Sequence, residues 1–284
     1  MPAIDLFTLD AYMDPQQPAP VSNYNRQFLA QGDSWFSIGA IPPMATTNLF
    51  DGMGMSIKAC AVNCAKPGWT MVRMVDRVKD PRFNLLLTKD RVWTGLLFSG
   101  GGNDIIDAVN QPTSNAIDDR LLLTSSEWTN APDGQKYISN PGWAKFSDYL
   151  TAVVKLLRQI RDSGPCKGIP IVMHTYDIAA PRDVAAGAGI GPWLFPAMRL
   201  YVIPKQEWTL AAAALLGRLQ TLLNHIAQTT ADGSLHIVNS QGTLAPAPTS
   251  SQGPTADWEN EIHPTVAGYR KLSALWQPVL DAVF

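Results

Sequence analysis

The sequence predicts an α/β fold, with one parallel sheet of five strands covered by helices on both faces. Three observations predict it. Five short apolar runs alternate along the chain with longer stretches of helical periodicity. The runs are apolar almost throughout, without in-out alternation, as strands buried on both faces are. Polar segments follow the runs: Gly32-Asp33-Ser34-Trp35, Gly100 to Asp104, His174 to Asp177, and the loop after residue 239. That collects them at the carboxyl rim, where parallel sheets bind ligands.

The elements follow in order. Residues 25–31 are the first strand and run into Gly32-Asp33-Ser34-Trp35. Residues 56–62 are the second strand. Residues 69–79 place Met71, Met74, Val75 and Val78 on one face of a helix. Residues 92–98 are the third strand, ending in a glycine run. Residues 143–161 are an amphipathic helix, with Phe146, Leu150, Val153, Val154, Leu157 and Ile160 at helical spacing. Residues 169–175 are the fourth strand, 206–230 a long Ala/Leu-rich helix and 235–239 the fifth strand. A last helix starts at His263-Pro264-Thr265, with Pro264 in its first turn. Three irregular connections, 111–142, 178–205 and 240–258, are expected to lie over the rim. Residues 1–24 read as an N-terminal extension and 25–284 as a single domain.

Composition excludes several classes of function. The chain has 284 residues, 46% of them hydrophobic and 16% charged, which excludes a disordered protein. A net charge of −2 gives no basic patch for nucleic acid. No apolar stretch reaches the roughly 18 residues of a spanning helix. The start has acids and prolines but no apolar h-region, so it is not an intact signal peptide. The compartment stays open between cytoplasm and processed export, and oligomeric state is not readable. Cys60, Cys64 and Cys166 are too few and wrongly spaced for a disulfide framework or a zinc set, and read as buried thiols. No metal or cofactor is expected.

Four segments carry chemistry. Ser34 follows the first strand at a sharp turn, which exposes its hydroxyl at the rim; alone, Gly-Asp-Ser is equally an ordinary turn. Gly101-Gly102-Asn103-Asp104 follows the third strand, and the Asn103 amide could donate to a developing oxyanion. No Lys-Ser/Thr follows, which argues against a phosphate loop. Gly68, after the second strand, is either a turn glycine or a backbone donor. His263 sits near the end of the chain and could act as general base to a serine. His225 and His236 read as structural, and His174, near a strand end, is a weaker competitor.

Together these blocks resemble the GDSL/SGNH hydrolase superfamily: Ser34, Gly68, Gly101 with Asn103, and His263 stand in the family's order over residues 25–284. The resemblance implies a three-layer α/β/α flavodoxin-like fold and hydrolysis of a carboxylic ester through a seryl-ester intermediate. Ser34 would be nucleophile and His263 base. The oxyanion hole would be the N–H of Ser34, that of Gly68 and the Asn103 side chain. The family's Asp three residues before the histidine is Asn260 here. Asp257, at the end of a loop that could fold back, ranks first as the histidine's partner, ahead of Asn260, Glu261 and Asp177.

The expected activity is that of a serine esterase on small to medium acyl esters. Trp193 and Phe195, in the 178–205 connection, are expected to limit the acyl pocket, with Trp208 and Trp258 as further candidates to line it. The alternatives are an acyltransferase using the same seryl ester and a binding protein that kept the fold.

Overall fold

The computed structural model describes residues 2–37 and 47–284. Six strands form one parallel sheet: β1 (Asp5–Thr8), β2 (Arg26–Gly32), β3 (Ala59–Asn63), β4 (Gly95–Ser99), β5 (Ile171–His174) and β6 (Leu235–Val238). Their order is β1-β3-β2-β4-β5-β6. The chain therefore leaves β2 in one direction to β3 and in the other to β4, β5 and β6. The carboxyl end of β2 is a topological switch point, where open α/β sheets place their ligands. Every residue of β4 and β5 is buried, as are the last five of β2, so both faces of the central sheet are covered.

Nine α-helical segments complete the described residues: α1 (Leu9–Met13), α2 (Ser34–Ser37), α3 (Met71–Val75), α4 (Pro81–Leu85), α5 (Gly102–Val109), α6 (Asn140–Asp162), α7 (Phe195–Leu200), α8 (Trp208–Thr229) and α9 (Val266–Val283). In α6 the apolar stripe from Phe146 to Ile160 is the buried face, and the Ser139 side chain caps its start by accepting the Gly142 N–H at 3.0 Å. None of the helices is long and apolar enough to cross a membrane. Cys60, Cys64 and Cys166 are buried free thiols.

Four expectations change. The sheet has a sixth strand, because residues 5–8 of the expected extension pair in parallel with β3. The helix expected over 69–79 ends at Val75; the Asp76 carboxylate accepts the N–H groups of Val78 (2.7 Å) and Lys79 (3.2 Å) and turns the chain. Val78 is exposed rather than buried. Pro264 lies outside α9, which starts at Val266 with Thr265 as its N-cap.

Candidate active site

Strand β2 delivers Gly32, Asp33 and Ser34 to the switch point. Gly32 lies against β4 so closely that a Cβ there would stand 2.7 Å from that of Ser99. The Asp33 carboxylate accepts the Trp35 N–H at 3.0 Å, and Ser34 begins α2. That turn sets the Ser34 hydroxyl at the edge of a small cavity.

His263 arrives on a tight loop over residues 257–265. The loop is closed by Glu259 N–H to His263 O (2.8 Å) and by Thr265 N–H to Asp257 O (2.9 Å). The Trp35 indole N–H donates to Ile262 O at 3.2 Å and fastens this loop beside Ser34. His263 Nε2 stands 2.8 Å from Ser34 Oγ. Its Nδ1 stands 3.0 Å from Asn260 Oδ1, which also accepts the N–H groups of Ile262 (3.2 Å) and His263 (3.0 Å). Those two backbone donors fix which amide atom faces the ring. An amide oxygen only accepts, so Nδ1 carries the hydrogen and Nε2 is left with a lone pair toward the serine proton. Burial pushes the imidazole down to about 4, and Asn260 brings no charge to oppose it. The ring is therefore neutral, the form that can take a proton, at pH 7.

The other candidate partners are engaged elsewhere. Asp257, expected first, accepts from Lys271 Nζ (2.6 and 2.9 Å) and from the Ala245 N–H (2.9 Å). Lysine from α9 holds it in place, so it does not fold back to the ring. The Glu261 carboxylate accepts the backbone N–H groups of Arg182, Trp193, Leu194 and Phe195. Asp177 accepts from Ile178, Gly242 and Leu244.

Asn103 stands in the first turn of α5. Gly101 caps that helix at φ 106°, a backbone conformation open to glycine. One Asn103 Nδ2–H donates to Trp69 O at 3.0 Å, which ties α5 to the loop carrying Gly68 and leaves the second hydrogen available. Asp104 braces the arrangement, accepting from the Met71 N–H (3.0 and 3.3 Å) and the Tyr149 hydroxyl (2.6 Å). Among the described residues the N–H groups of Ser34 and Gly68 donate to no protein acceptor. Unfilled donors of this kind suit a negative oxygen.

A buried network behind Ser34 was missed from the sequence. Ser99 Oγ lies 2.8 Å from Asp33 Oδ1 and 2.8 Å from His174 Nε2, and the Tyr176 hydroxyl donates to Asp33 Oδ2. His174 Nδ1 faces Thr175 O at 2.7 Å, and its Nε2 faces the Ser99 hydroxyl, which donates to Asp33. Burial pushes the Asp33 carboxyl up to about 6, against the hydrogen bonds it accepts from Tyr176 and Ser99, and pushes the His174 ring down to about 4. His174 is buried in this network and faces Ser99, a meeting that no local sequence pattern signals.

The cavity beside Ser34 is lined by Asn103, Ile105, Ile106, Leu194, Leu216 and Ile262, among others, and measures about 40 Å³. Of the aromatic residues expected to line it, Trp258 is in the core and donates to Ala245 O at 3.1 Å; Trp208 donates to Ile203 O at 2.8 Å and packs edge-on against Phe195. Trp193 instead sets its ring edge-to-face with His263, centroids 5.1 Å apart. Among the described residues no cluster of three or more His, Cys, Asp or Glu side chains could hold a metal ion.

No protein-family model and no curated protein matches the sequence. Solved structures do match the fold. The lipase Lip_vut3 from a goat rumen metagenome superposes with a TM-score of 0.51 at 13% identity, over 89% of this chain and 96% of that one. An extracellular lipase from Streptomyces rimosus gives 0.47 at 15% identity, over 91% and 100%. A catalytic mutant of an acetylxylan esterase from Geobacillus stearothermophilus gives 0.47 at 14%, over 89% and 93%. The three-layer fold is thus one that a known lipase has.

Proposed function

We propose that this chain is a serine ester hydrolase of the GDSL/SGNH type, acting on esters of short acyl chains. The observation that carries the reading is the unbroken line from Ser34 Oγ through both nitrogens of His263 to Asn260 Oδ1, at 2.8 and 3.0 Å. A lone histidine or a Gly-Asp-Ser turn has no need of that alignment.

Ser34 Oγ attacks the acyl carbon while its proton passes to His263 Nε2. The carbonyl oxygen becomes an anion facing the N–H groups of Ser34 and Gly68 and the second Nδ2–H of Asn103. Collapse of the tetrahedral adduct breaks the ester C–O bond, and the alcohol leaves with the proton from Nε2. Water then attacks the seryl ester, giving its proton to the same nitrogen, and the acid departs as Ser34 regains its hydrogen.

The test is turnover of an activated acetate ester by the wild type and by Ser34→Ala. The variant should fold with an unchanged far-UV spectrum and lose about 10³-fold or more in kcat. Near-normal turnover in Ser34→Ala would sink the assignment. Product analysis in the presence of added alcohol separates hydrolysis from acyl transfer.

A further inference from the structure

The wall of the cavity beside Ser34 is held by a side chain that the reaction does not use. Leu194 lines that cavity, yet it belongs to the long 178–205 connection, just before α7. Its place depends on what anchors the connection. The anchor comes from the histidine loop. Glu261, 1% exposed, accepts the N–H groups of three consecutive residues, Trp193, Leu194 (2.9 Å) and Phe195 (2.7 Å), and of Arg182 (3.2 Å). Its own N–H donates to Val184 O at 3.1 Å. The next residue, Ile262, lines the same cavity. One carboxylate therefore joins the two loops that enclose the space beside the serine.

Resting on the ester-hydrolase reading, we propose that Glu261 is the positioning residue that sets acyl-chain length, by holding Leu194 as the closed end of an acyl pocket for two to four carbons. The cavity measures about 40 Å³. A water-sized group needs roughly 10–15 Å³, so about three such groups fit. The lining carries five aliphatic side chains larger than alanine, Ile105, Ile106, Leu194, Leu216 and Ile262, and its polar members Asp33, Tyr176 and Asp177 already hold protein partners, which suits hydrocarbon. A longer chain needs the wall to give, and Leu194 is the lining residue that the 178–205 connection carries just before α7. Four backbone hydrogen bonds to one buried carboxyl group resist that movement. Without the carboxylate, three successive N–H groups lose their acceptor and the wall is free to give.

The experiment measures kcat/KM on activated esters with one leaving alcohol and acyl chains of two, four, six and eight carbons. Wild type, Leu194→Ala, Glu261→Ala and Glu261→Gln are compared, with Ser34→Ala as the blank. Wild type should fall by about tenfold or more between four and six carbons, the scale of discrimination by a filled pocket. Leu194→Ala and Glu261→Ala should each raise the six-to-two ratio by about tenfold, chiefly through KM for the longer ester. Glu261→Gln, which keeps one acceptor oxygen, should lie between wild type and Glu261→Ala. If Leu194→Ala lengthens the accepted chain and Glu261→Ala does not, the latch is wrong. If neither changes the ratio, or if discrimination follows the alcohol in a matched alcohol series, the pocket is wrong as well. Should Glu261→Ala fail to fold, Glu261→Gln decides, and an unchanged ratio overturns the proposal. Wild-type turnover no greater than that of Ser34→Ala overturns the ester-hydrolase reading itself, and is seen before any ratio is formed.

Discussion

Asn260 offers the imidazole an amide where the family resemblance puts a carboxylate. The amide does half of the work of an acid. Its oxygen fixes the tautomer and the ring orientation, but it cannot stabilise the positive charge that His263 would gain in the proposed attack by Ser34. Asn260→Asp would place a carboxylate at the same atom, still accepting the two backbone N–H groups. It should raise kcat by about tenfold, less than the roughly 10⁴-fold that separates Asp from Asn where the tautomer is also wrong. It should also lift His263 from about 4, so the acid limb of kcat/KM moves to higher pH. A pH–rate profile of both proteins checks this; an unmoved limb would mean that His263 is not the base. Asp257→Ala should leave kcat within about twofold and lower Tm slightly, since it breaks an ion pair whose lysine is half exposed. The position of Asn260 three residues before the histidine was legible. The engagement of Asp257 was not, because its partner Lys271 lies on α9, a side chain that no local pattern pairs with it.

At the scale of elements, the site is built where two neighbouring strands end together. Strand β2 carries the candidate nucleophile and β4 ends in the glycine run that opens α5, and the register pairs Gly32 with Ser99. A methyl at Gly32 would meet the Cβ of Ser99 at 2.7 Å and its carbonyl oxygen at 2.9 Å. Gly32→Ala must therefore spread β2 from β4 directly under Ser34. Overpacking of this kind costs about 1–3 kcal/mol, so denaturant unfolding should show that loss, with a fall in kcat from the displaced serine. Wild-type stability in Gly32→Ala would mean that the strands separate more freely than the packing implies. The five strands were legible because each carries a run of apolar residues, buried throughout in β4 and β5. Strand β1 was not: its four residues lie at the sheet edge, largely exposed, and their sequence carries no apolar run. The overlong helix at 69–79 shows the opposite failure. Apolar spacing continued to Val78, but the Asp76 carboxylate captured the next amides and ended the helix.

For the whole molecule, the buried titratable groups divide into two sets that oppose each other as pH changes. His174 and His263 are pushed down from 6.5 to about 4, so the unfolded chain binds their protons more tightly. Their stabilising share is complete above about pH 6.5 and is lost as pH falls toward 4. Asp33 and Glu261 are pushed up, from 3.8 to about 6 and from 4.5 to about 7. Here the folded protein binds the protons more tightly, so these two add stability as pH falls over much the same range. Burial also pushes Asp104 up and His236 down, so three groups of each sign leave little net slope between about pH 7 and pH 5. Below about pH 4 those raised carboxyls are protonated in both states and no longer offset the carboxylates held down by partners. Glu127, at about 2 through Arg120 and Thr124, and Asp257, lowered by the Lys271 ammonium against its own burial, lose their contributions as they protonate. Tm should therefore be nearly flat from about pH 7 to 5 and fall steeply below about pH 4. Glu261→Gln removes one member of the opposing set, so its Tm should decline on acidification already from about pH 6.5, as the histidines act with less compensation. Calorimetry across pH 3–8 on both proteins measures this. A wild-type Tm that drops steeply between pH 7 and 5 would show that the histidines dominate and that Asp33 and Glu261 do not hold their protons in the fold.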